Sequence, residues 1–156
     1  MDVTESNAPK LVADVLVLAA GQVLLVRYKD LRRYDGQQGW FLPNDYVAYG
    51  EHPSDAAKRI LLEQVGLKIE AVPLSYIASF GTEDGGRWQL VFHHKLEFDN
   101  VPDITALFNL RNAQWFPLEA LPEAEAVAHH GWAIDVIGEM MKKSKAAGTR
   151  RDTEKT

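Results

Sequence analysis

"GEHPSDAAKRILLEQVGL" (Gly50–Leu67) is the stretch on which the reading of this chain turns. Pro53 suits the first position of a helix, where a missing N–H costs nothing. Asp55 falls in the first turn, where negative charge complements the helix dipole. Gly66 stands just past the last turn, the place for a left-handed cap. Residues advance by about 100° on a helix, so positions 60, 63 and 64 share one face while Ala57 and Leu61 point to another and suit core contacts. Three carboxylates on the 60/63/64 face would form a platform for Mg²⁺, which prefers hard anionic oxygens. The sequence supplies Ile60, Glu63 and Gln64 there. The face is either a working acidic site, a converted one, or part of a core.

Upstream, "LVADVLVLAA" and "QVLLVRY" are Val/Leu-rich runs divided by Gly21, the pattern of two strands joined by a tight turn. A polar loop then leads into "WFLP", read as a brief strand stopped by Pro43. Downstream, "KIEAVPLSYIASF" reads as a strand, "GTEDGG" as a turn and "RWQLVFHHKLEF" as a long strand. Alternation puts Trp88, Leu90, Phe92, His94 and Leu96 on one face of that strand, and Gln89, Val91, His93, Lys95 and Glu97 on the other. "AQWFPLEAL" gives a short strand and turn, and "HHGWAIDVIGEMMKK" an amphipathic closing helix with Trp132, Val136 and Met140 four residues apart. The order of elements predicts an α+β domain, a mixed β-sheet with helices packed on it.

The 156 residues suit one domain, expected over 10–143, with a loose arm at 1–9 and a disordered basic tail at 144–156. Net charge is −5, and the last fifteen residues carry six Lys/Arg against two Asp/Glu, so the acidic excess lies in the body. That balance argues against a broad nucleic-acid-binding face. The absence of cysteine excludes disulfides, thiolate metal sites and a cysteine nucleophile. The acidic, polar opening is unlike a targeting peptide, and no apolar run is long enough for a bilayer, so a cytoplasmic protein with no membrane partner is expected. His93 and His94 alternate across a strand and cannot chelate together. His129 and His130 precede the closing helix and suit its capping turn, and no His or Cys spacing suggests zinc. The aromatic residues Trp40, Phe41, Trp88, Phe92, Trp115 and Phe116 are assigned mostly to the core, with one or two of them open to stacking on a nucleobase that alternation alone does not single out.

The chain resembles the Nudix hydrolase superfamily, the MutT-like proteins. That family's box runs Gly, five residues, Glu, seven residues, then Arg-Glu-aliphatic-x-Glu-Glu-x-Gly-aliphatic. Laid over residues 45–67, it is matched by Glu51, Arg59, Leu61, Glu63, Gly66 and Leu67. "WFLP" before the box and "QWFPLEALP" after it are also similar, and the likeness spans about residues 10–143. It implies a Nudix-like mixed sheet sandwiched between helices, with catalytic candidates Glu51, Arg59 and Glu63. It also implies a Mg²⁺ cofactor, or Mn²⁺, held by Glu63 and Glu51. The ligand it implies is a nucleotide or a nucleoside diphosphate linked to another small moiety, and it leaves a homodimer open.

The departures fall where catalysis lives. The leading Gly is Asp45, so a left-handed turn there would rest on Asn44-Asp45, residue types that tolerate it. The first helix Glu is Ile60 and the last is Gln64. Ile has no lone pair, and a neutral amide oxygen is a poor Mg²⁺ ligand. Loss of a positioned base costs about 10²–10⁴ in rate, so hydrolysis is expected to be weak or absent, with metal binding weak or absent too. A carboxylate from outside the box is the route to compensation: Glu97 near a strand end, or Glu83 and Asp84 in the turn, each also readable as an ordinary solvated acid. Three readings follow: a binding domain for a nucleoside-diphosphate-linked ligand, an active divergent pyrophosphohydrolase, or a non-catalytic sensing or structural domain. Arg59-Ile60-Leu61 is similar to the triplet of some sensor members, too short a match to assign that role.

Overall fold

The structure, a computed structural model, describes residues 8–34, 37–81 and 88–155, except the side chains of 33–34, 130 and 143–155. Among the described residues six strands and two α-helices are formed: β1 (Lys10–Ala19), β2 (Gln22–Tyr28), β3 (Asn44–Tyr46), α1 (Pro53–Val65), β4 (Leu74–Gly81), β5 (Trp88–Phe98), β6 (Leu110–Pro117) and α2 (Ala128–Lys155). The sheet is mixed, in the order β4-β5-β1-β2-β6. β1 runs parallel to β5 along its whole length. Its other edge is shared: β2 pairs with Leu18–Ala19 at one end, and β3 with Val12–Asp14 at the other. Ala20 and Gly21 both take positive φ, 48° and 76°, which lets a two-residue turn follow the twist of the β1–β2 hairpin.

The near-continuous apolar run of β1 is explained by burial on both faces. Val15 and Val17, with Leu24, Val26, Tyr28 and Phe41, pack against Ala57, Leu61 and Val65 of α1. Leu16 and Leu18, with Val23, Leu25, Trp40 and Leu42, pack against Ala133, Val136, Ile137 and Met140 of α2. The sheet is therefore sandwiched between helices. The caps of α1 are those its sequence indicated: Pro53 opens it, and Gly66 ends it at φ 75°. His52 Nδ1 accepts the Ser54 N–H, while the carbonyls of Gln64 and Val65 at the other end accept the Leu107 and Thr105 N–H groups. These contacts occupy terminal groups that a helix cannot satisfy internally.

Prolines reset several boundaries. "WFLP" is not a strand: Trp40 and Phe41 form isolated bridges to Val127 and Val26, and the ladder resumes at Asn44, beyond Pro43. In "KIEAVPLSYIASF" the strand begins only at Leu74, and it runs on to Gly81, because Pro73 has no N–H to donate to a ladder. Asn44 and Asp45 lie in register with Asp14 and Ala13 of β1 in extended conformation and not in a left-handed turn, with the ladder bonds Val15 N–H to the Pro43 carbonyl and Val47 N–H to the Leu11 carbonyl on either side. His129 and His130 lie within the first turn of α2, not ahead of it. That helix continues to Lys155, past position 143. Among the described residues no helix is long and apolar enough to cross a membrane.

Candidate functional site

Arg59 organises the loop before α1. Its Nε and one Nη2 hydrogen grip Glu51 at 2.9 and 3.1 Å. Nη1 donates to Asp45 at 3.1 Å and to Glu63 at 3.4 Å, and Nη2 also reaches the Tyr46 carbonyl at 2.9 Å. These contacts match the five N–H donors of a guanidinium, a fork that lysine could not reproduce. Glu51 accepts in addition the Ala48 N–H at 2.9 Å, closing the loop upon itself. The hydrogen bonds donated by Arg59 hold the Glu51 carboxyl below its ordinary range, and the same bonds, accepted by Glu51, raise Arg59. Asp45, where the box has Gly, has become a second carboxylate for Arg59.

The face of α1 that would carry a metal is built differently. Ile60 is fully buried in a small cluster with Ala13 and Ala56, against which Val47 packs. Burial of such a side chain stabilises by about 1.5–3 kcal/mol, so Ile60 holds α1 onto the N-terminal half of β1. Gln64 is also buried: its Oε1 accepts from Tyr28 Oη at 2.8 Å, and its Nε2 donates to the Asn44 carbonyl at 2.9 Å. Tyr28 Oη accepts the Asn44 N–H at 3.0 Å. This amide, phenol and backbone network fixes β3 against α1, and it consumes the groups that would otherwise face a cation.

A divalent ion fits the remaining donors poorly. Glu51 is committed through both oxygens, and Glu63 is half-exposed beside Arg59. Among the described residues no three or more His, Asp or Glu side chains are grouped so as to hold a metal. Glu97 is exposed near the end of β5, in register with Leu18, whereas Asp45 is in register with Ala13. Five residues of β1 separate those positions, roughly 16 Å along the strand. No hydrogen bond or ion pair among the described residues joins Glu97 to the Arg59 cluster. Glu83 and Asp84 lie outside the described residues.

Sequence reasoning missed a second polar constellation. Asp14 and His93, register partners on β1 and β5, are both fully buried, with His93 Nδ1 2.8 and 2.9 Å from the two carboxylate oxygens. Burial pushes the Asp14 carboxyl up, against the lowering effect of His93. The His93 ring lies between Tyr76 and Trp132, 4.5 and 5.9 Å away by centroid, on the α2 side of the sheet. His94 takes the α1 side: its Nδ1 donates to the Asp14 carbonyl at 3.1 Å, and its Nε2 lies 3.3 Å from Ser54 Oγ. Burial lowers the His94 pKa, which suits a neutral ring that accepts from the serine hydroxyl. The two histidines do take opposite faces. An aspartate inside an otherwise apolar strand was the available signal of this pairing.

The NUDIX domain model matches residues 8–135. The chain belongs to the NUDIX family. Its fold is also that of solved NUDIX structures. A MutT NUDIX hydrolase from Burkholderia pseudomallei superposes with a TM-score of 0.65 at 18% identity, over 78% of this chain and 92% of that one. The NUDIX domain of Shewanella oneidensis NrtR, crystallised with ADP ribose, gives 0.68 at 15% identity, over 92% and 93%. An Ap4A hydrolase from C. elegans, solved as a binary complex, gives 0.62 at 19% identity, over 90% and 98%. At such identities the likeness is one of fold.

Proposed function

We propose that this NUDIX domain binds a small molecule built on a nucleoside diphosphate linked to another moiety, and that Mg²⁺-dependent pyrophosphate hydrolysis in it is weak or absent. One observation carries the reading. Ile60 and Gln64 are built into packing and hydrogen bonding, so the helix face that would seat the ion instead seats β1 and β3. Loss of a positioned base alone lowers a rate by about 10²–10⁴, and weakened metal affinity acts in the same direction. The Arg59 network ties the loop before α1 to the helix through its own hydrogen bonds, which supports a scaffold available for binding. The ligand class follows from the family and from relatives that carry ADP ribose or hydrolyse Ap4A.

Calorimetric titration with ADP-ribose and with Ap4A, in EDTA, Mg²⁺ or Mn²⁺, and chromatography of the recovered nucleotides, tests it. The expected result is binding that survives EDTA, with the nucleotides recovered intact. Rapid metal-dependent cleavage would overturn the proposal in favour of an active hydrolase that recruits an acid such as Glu97. Failure to bind either nucleotide would favour a structural domain.

A further inference from the structure

The two edges of the sheet are finished differently. β6, at one end, carries the exposed Arg111 and closes on Pro117, a charge and a missing N–H of the kind that keeps an edge strand from pairing with another. β4, at the other end, reads "LSYIASFG" and holds neither a charge nor a proline. Its register on β5 shows which of its backbone groups are open. The Lys95 N–H turns towards the β4 side, to the Pro73 carbonyl, so every second residue of β5, at His93, Val91 and Gln89, turns its N–H the same way. Their partners Tyr76, Ala78 and Phe80 form the hydrogen-bonded pairs, and Ile77, Ser79 and Gly81 between them direct N–H and C=O outward. Among the described residues no backbone group pairs with that outer row.

Apolar side chains flank the same edge. Leu74, Ile77 and Phe80 are 46%, 53% and 43% exposed, and Trp88 is 41% exposed. Trp88 belongs to β5, but its register partner is Gly81, and its Nε1 donates to Ser79 Oγ at 3.0 Å, so the indole leans across β4 towards the edge. At roughly 150–250 Å² for a side chain of this size, these exposures leave about 300–450 Å² of apolar surface per copy. Interfaces are about 56–65% non-polar, so two copies that cover this surface bury about 1,000–1,500 Å² in all, enough for a specific dimer. We infer that β4 pairs antiparallel with β4 of a second copy of this chain, about a two-fold axis near Ala78, so that two sheets run on as one. The outward N–H and C=O of Ile77 and Ser79 then meet the same groups of the other copy. A strand without charge suits such an axis, because a charged residue there would be set against its own like.

Sedimentation velocity from about 1 to 300 µM, around the micromolar dissociation constant of a modest interface, tests the inference, with far-ultraviolet circular dichroism as the check on folding. Wild type is expected to pass from monomer to dimer. Ile77→Lys sets a charge on each side of the axis and should weaken the dimer about a hundredfold or more. Leu62→Lys, at an exposed position of α1, should associate as wild type does. Because the chain has no cysteine, Ile77→Cys, Ala78→Cys and Ser79→Cys each report the axis alone: mild oxidation yields a disulfide dimer where a residue meets its own copy. A disulfide in at least one of the three, and none in Leu62→Cys, supports the pairing. A wild type that stays monomeric across the range overturns it. So does a dimer that survives Ile77→Lys, and so does the failure of all three β4 cysteines to crosslink.

Discussion

Gln64 differs from the family's glutamate by one amide nitrogen, and that nitrogen has a partner. Its N–H faces the Asn44 carbonyl at 2.9 Å, while its oxygen takes the Tyr28 hydroxyl. Gln64→Glu turns the donor into an acceptor facing an acceptor, inside a buried network. It is expected to destabilise the protein by about 1–3 kcal/mol in metal-free urea unfolding, the range for stranding a buried polar group. Tyr28→Phe should cost a similar amount through the same network, and the double variant less than the sum of the two. A restored carboxylate at position 60 is harder still, because it would stand among Ala13, Ala56 and Val47. Placing acids at positions 60 and 64 therefore carries a folding cost as well as any gain in metal affinity, a cost set by partners that residue type alone does not reveal.

At the scale of elements, two glycines do different work. Gly66 caps α1 at φ 75°, and a Cβ there would meet only Leu107 Cδ1, at an ordinary 3.5 Å. Gly39 lies at φ 107°, where a Cβ would stand 2.6 Å from the Ala126 carbonyl oxygen. That oxygen accepts the Trp40 N–H at 3.0 Å, and the Ala128 N–H returns to the Trp40 carbonyl, so the two segments are laced together ahead of α2. Gly66→Ala should cost about 1–2 kcal/mol, the penalty of a left-handed residue with a side chain. Gly39→Ala adds displacement of backbone to that penalty and should cost more. Thermal melts would show it, at about 2–4 °C per kcal/mol for a chain of this size. The cap at Gly66 was legible because helix ends obey local rules. The need for Gly39 was not, since it arises from residues 126 and 128, far away in sequence.

For the whole molecule, pH separates the two polar constellations. Glu51 has a folded pKa below its unfolded value of 4.5, so its stabilisation is complete above 4.5 and is lost as pH falls through the lower folded value. The gap in stability between wild type and Glu51→Gln should therefore be widest near neutrality and close in acid. Asp14 has the opposite sign: its folded pKa is raised above 3.8 by burial, so its contribution is full below 3.8 and lost as pH rises through the folded value. Asp14→Asn keeps an acceptor for His93 and should gain on wild type as pH climbs through that window. Urea unfolding of the three proteins over an acid-to-neutral series measures both slopes. If the two variants track wild type at every pH, the burial and ion pairing described here do not govern its acid behaviour.

The amino-acid sequence by itself determined the α+β class, the strands β1, β2 and β5, the Pro53 start and Gly66 cap of α1, and the presence of Ile60 and Gln64 where the resemblance expects carboxylates. Each of these is local: periodicity, terminal chemistry and residue type act over a few positions along the chain. Only the tertiary structure decided what Ile60, Gln64 and Asp45 do instead. Their partners are Ala13, Tyr28, Asn44 and Arg59, brought near by the pairing of β3 with β1 and the docking of α1, and spacing along a chain holds no record of which side chains meet across a sheet.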